Sequence, residues 1–167
     1  MPFFSSSEAG LYIALSLIGR MIFFGTNSIA FVLFPKSVAN FSLKKNNVKL
    51  LKKALLLVCL AGGAAVLAYF LIPNIIVKVL YGSNYLNIVN LVGFYGIAML
   101  FLSLSYVLMF YNLSVNRKNF IYIILLFLIA EIFLLWIYHS SLFQVVILMI
   151  LLMILIFINL SFIFNNI

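Results

Sequence analysis

The stretch GLYIALSLIGRMIFFGTNSIAFVLFPK, Gly10 to Lys36, decides the fold. It is apolar for long enough to cross a bilayer, which takes about 20 residues, yet it carries Arg20 well inside. The rest of the chain repeats the pattern. Of the 167 residues, 68% are hydrophobic and 7% charged, against roughly a quarter charged in a soluble domain, so the chain reads as an all-α integral membrane protein.

Apolar runs of spanning length fall at about 10–35, 51–72, 86–112, 120–138 and 142–164, giving five spans in one helical domain over 1–167. Pro35 is expected to end the first run and Pro73 the second. NFSLKKNNVKLLKK forms a polar first connection, and NIIVKVLYGSNY, a short amphipathic piece with turn formers at its end, makes up the second. Asn112 to Asn119 mark the third, and His139, Ser140 and Ser141 the fourth.

The net charge of +8 would suggest a nucleic-acid partner in a soluble protein, but here the basic residues sit between spans and set topology instead. Lys36, Lys44, Lys45, Lys49, Lys52 and Lys53 flank the first connection and Arg117 and Lys118 the third, whereas the second holds only Lys78 and the fourth none. The positive-inside rule puts the first and third connections in the cytoplasm, hence the N-terminus outside and the C-terminus inside. The opening MPFFSSSE lacks the charged region and cleavage pattern of a signal peptide and reads like the middle of a longer protein.

At about 1.5 Å per residue, Arg20 lies roughly 15 Å into the first span. Tyr12, Ser16, Gly19, Arg20, Phe23 and Asn27 share one side of that helix, within an arc of about 100°. A mid-membrane arginine costs about 2.5 kcal/mol or more and is tolerated facing a bundle interior or a wet cavity. Three readings stand for it. Arg20, with Ser16, Asn27 and Tyr12, lines a cavity for an anionic substrate such as a diphosphate-linked lipid, whose oxygens a guanidinium matches in a fork. Alternatively it pairs structurally with Glu131, at matching depth in the fourth span, or it snorkels outward.

The remaining signals are read as structural. Ala61 to Ala65, Gly93 and Gly96 let helices pack closely, with a transporter hinge as the minority reading. Ser103, Ser105, Tyr106, Tyr111 and Asn112 are expected to bond between helices, and Cys59 to be a small buried hydrophobe. The last two spans look lipid-facing, with Trp136, Tyr138 and His139 in an outer aromatic belt. There is no aspartate, one histidine and two distant glutamates, and no Walker loop; this excludes the usual metal, triad and ATPase chemistries, so no enzyme, metal or cofactor is expected.

The order of SSSEAGLYIALSLIGR, VLFPK, KLLKKALLL, IPNIIVKVLYGSNYLNIVNLV and SVNRKNF resembles the C-terminal half of bacterial polysaccharide-biosynthesis flippases of the multidrug/oligosaccharidyl-lipid/polysaccharide exporter superfamily, over about residues 4–120 and by hydropathy beyond. The resemblance implies the last five helices of a twelve-helix transporter in the bacterial inner membrane, moving undecaprenyl-diphosphate-linked sugar units by alternating access. It further implies that the N-terminal lobe is missing, to be supplied in trans or replaced by a second copy. A different cargo for the same fold, such as a drug or a teichoic-type polymer, is a further reading, and a non-transporting scaffold or decayed remnant is the alternative.

Overall fold

The computed structural model describes residues 6–43, 45, 47–138 and 141–165, and side chains among these from 9 to 162. Met1 to Ser5, Lys44, His139 and Ser140 are among those outside the described residues, and with them the reading of the chain start, one topogenic lysine and the belt assignment of His139. The described residues form α1 (Ser6–Ser42), α2 (Val48–Leu71), α3 (Pro73–Tyr81), a 3-10 helix (Ser83–Ile88), α4 (Val89–Ser114), α5 (Phe120–Ile137) and α6 (Leu142–Asn165). Five helices are long and apolar enough to span a membrane: 9–42, 48–71, 83–114, 120–137 and 142–162. The chain is therefore an all-α, multi-pass membrane protein.

Pro35 does not end the first helix. α1 runs two turns beyond it, to Ser42. A proline removes one backbone donor and crowds the carbonyl four residues earlier, but side chains hold this end in place. Asn47 Nδ2 donates to the Ser37 carbonyl at 2.9 Å, and Ser114 Oγ meets Ser37 Oγ at 2.6 Å. These bonds gather the C-terminal ends of α1 and α4 and the start of α2 at one end of the bundle. The first and third connections, with Lys45, Arg117 and Lys118, therefore emerge together, as one basic end.

Pro73 behaves as expected, occupying the first turn of α3, where its missing N–H has no intrahelical role. The amphipathic α3 buries Val77 and ends at Gly82, whose φ of 84° lies in the left-handed region that glycine adopts without strain. The chain then re-enters the bundle through the 3-10 helix.

α4 is the hub, with 61% of its span buried, and it packs against α1, α2 and α6. One core surrounds Leu15, Ile18, Tyr69, Val92, Tyr95 and Val146; the other, toward the basic end, surrounds Ala30, Leu51, Val58, Leu108, Phe120 and Leu160. Small residues set the spacing between helices. A methyl on Gly19 would collide with the Tyr95 ring, one on Gly62 would reach Leu100 at 2.6 Å, and one on Gly93 would meet Phe70 at 2.6 Å.

Three expectations need correction. Cys59 is exposed on the outer face of α2 rather than buried. Only α5 is largely peripheral, with 6% of its span buried, whereas α6 buries Val145, Val146, Leu152, Met153 and Leu160. Two members of the polar group on α4, Ser103 and Asn112, bond within their own helix rather than between helices. Ser103 Oγ donates to the Met99 carbonyl and Asn112 Nδ2 to the Leu108 carbonyl, both within α4, which pairs these donors in a medium without water. Among the described residues, Asn112 Oδ1 and Ser105 Oγ are buried without a hydrogen-bond partner. Tyr106 instead stacks edge-on against Phe23 of α1, with ring centroids 5.3 Å apart. Bonds that do run between helices include Ser114 to Ser37 and that of Tyr69, whose hydroxyl donates to the Ile18 carbonyl at 2.7 Å.

Candidate functional site

Arg20 opens onto a cavity of about 340 Å³ shared by α1, α4, α5 and α6. α1 contributes Tyr12, Arg20, Phe23 and Phe24, positions i, i+8, i+11 and i+12, which helical geometry brings to one helix face. α4 brings Tyr95, Met99 and Leu102, α5 brings Glu131, and α6 brings Met149 and Met153. Gly19 allows this arrangement. Having no side chain, it lets the Tyr95 ring lie directly on the α1 backbone, one residue from the arginine.

The walls are aromatic and thioether. Tyr12 and Tyr95 meet edge to face with centroids 6.5 Å apart, and the Tyr12 hydroxyl points to the Met149 sulfur at 3.7 Å. Methionine is unbranched and polarisable, so such a wall adapts to irregular apolar chains. On the α1 wall, Arg20 and Phe24 are exposed.

Arg20 and Glu131 face the same cavity without closing to an ion pair, which requires N···O within 4.0 Å. Glu131 is half-buried and Arg20 is exposed. A cavity holding a guanidinium on one wall and a carboxyl on another has one strong anion-binding group, aimed into space lined by rings and sulfurs.

Of the residues singled out in the sequence, the structure brings Tyr12, Arg20 and Glu131 together and leaves Ser16 and Asn27 outside. Ser16 is buried, and its hydroxyl donates to the Ile13 carbonyl at 2.9 Å in its own helix. Asn27 lies seven residues further toward the basic end and does not line the cavity; its Oδ1 is buried with no hydrogen-bond partner. Tyr95, Met99, Met149 and Met153 escape a sequence reading because they look like ordinary core residues. Gly93 and Gly96 flank Tyr95 in the sequence, but they give close approach to Phe70 and Tyr69 of α2 and do not mark a cavity wall. Among the described residues, no three His, Cys, Asp or Glu side chains gather as a metal site would need. Comparison with known protein families, with characterised proteins and with solved structures finds no match for this chain.

Proposed function

We propose that this protein is a lobe of a lipid-linked oligosaccharide or polysaccharide flippase of the bacterial inner membrane, and that the Arg20 cavity receives the diphosphate of a polyprenyl-linked sugar unit. The observation carrying this reading is a mid-span guanidinium, in no ion pair among the described residues, over a cavity of about 340 Å³ walled by tyrosines, phenylalanines and methionines. An arginine at this depth is tolerated where it faces a cavity or another polar group. Guanidinium supplies paired donors to phosphate oxygens, and the apolar wall suits an isoprenoid chain. The resemblance of EAGLY, FPK and YGSNY, in their order and spacing, to polysaccharide flippases points the same way. With Arg20 exposed on the α1 side, the cavity is completed by a second lobe, supplied in trans or by another copy of the chain.

The test is translocation of a fluorescent lipid-linked oligosaccharide in vesicles carrying the protein with its partner lobe. Arg20→Ala is expected to lower the rate at least about tenfold at unchanged protein level, since a hydrogen bond to a charged group contributes about 1.5–3 kcal/mol. Unchanged translocation removes the cavity from the transport path.

A further inference from the structure

A second cavity, of about 330 Å³, lies between α1 and α2 at the basic end, away from Arg20. Its long walls are Val32 and Leu33 on α1 and Ala54 and Leu57 on α2, and two lysines, Lys36 and Lys53, stand at its mouth. The spacing gives the groove a direction. Lys36 lies six residues before the end of α1 and Lys53 five after the start of α2, so both residues sit roughly 8 Å along their helices from the connection. From Lys36 the groove descends two turns, about 12 Å, to Ser28.

α1 is about 55 Å long, well beyond the roughly 30 Å hydrocarbon core, which places Lys36 at headgroup level and Ser28 among acyl chains. Val32 and Leu57 are 56% and 45% exposed, so the groove faces outward, toward lipid. No acidic side chain lines it.

We propose that this groove is a binding site for an anionic phospholipid of the leaflet at the basic end, with the phosphate between Lys36 and Lys53 and one acyl chain along Val32 and Leu57. Two lysines with nothing acidic between them complement a phosphate, and basic pockets between membrane helices on the cytoplasmic side are a recurrent form of anionic-lipid recognition. The groove supplies what a diffuse basic surface lacks, an apolar slot directly beneath the charge. This site is independent of what the Arg20 cavity takes.

The test uses the purified chain and native mass spectrometry, titrating phosphatidylglycerol against phosphatidylcholine. One phosphatidylglycerol is expected to be retained in preference, and Lys36→Gln with Lys53→Gln to weaken it roughly 30-fold, the combined effect of two surface lysines. Lys45→Gln with Lys52→Gln, equal in charge but outside the groove, is expected to change retention less than threefold. Leu57→Trp, which fills the slot and leaves both lysines, is expected to abolish the preference for one bound lipid, and millimolar inorganic phosphate not to displace it. Equal retention of the two lipids, equal losses in the two lysine pairs, full retention in Leu57→Trp, or displacement by phosphate alone would each overturn the site.

Discussion

At the scale of single residues, the site depends on a missing side chain. Gly19 lets Tyr95 cover the α1 backbone beside Arg20, which fixes the cavity wall against the guanidinium. Adding a methyl there forces the ring or the helix to move, whereas Gly25, on the same helix, has open space around it. Gly19→Ala is expected to destabilise the bundle by about 1–3 kcal/mol, the usual cost of overpacking, and Gly25→Ala to be nearly neutral. Unfolding midpoints in a denaturing-detergent titration measure both. Equal midpoints would mean that the close approach of α1 and α4 is not tight. Arg20 itself was legible in the sequence because charge in an apolar run is rare. Tyr95 and the three methionines were not, because nothing in their type distinguishes a cavity wall from a core.

At the scale of elements, hydropathy located all five spanning helices but could not rank them. FIYIILLFLIAEIFLLWI and LFQVVILMILLMILIFINLSFIF look alike in sequence, yet α5 stays at the edge while α6 packs along α4. In lipid the solvent is as apolar as the core, so polarity carries no information about which face is buried, and packing shape decides instead. Leu160, fully buried on α6, and Leu126, 65% exposed on α5, separate the two roles. Leu160→Ala is expected to cost about 2–5 kcal/mol and Leu126→Ala almost nothing, read from the same unfolding titration. Comparable losses would place α5 in the core. The extension of α1 past Pro35 was illegible for a different reason, since it rests on Asn47 and Ser114, ten and 77 residues away from Ser37.

At the scale of the molecule, the lysine count and the fold agree on which connections belong together. Seven described basic residues cluster by the first and third connections, and Ser37 and Ser114 join those ends directly. That common orientation gives the two cavities separate places. The lysine groove lies at the basic end, and the Arg20 cavity in the opposite half of the span, where α1, α4, α5 and α6 converge. Retention of undecaprenyl diphosphate by the purified chain, in a Lys36→Gln, Lys53→Gln background that silences the groove, tests the central claim most directly. The account predicts that this background still holds the lipid, that adding Arg20→Gln weakens it at least about tenfold, and that adding Glu131→Gln instead does not weaken it. Equal retention with and without Arg20 would contradict the account and leave the arginine without a role in binding the diphosphate.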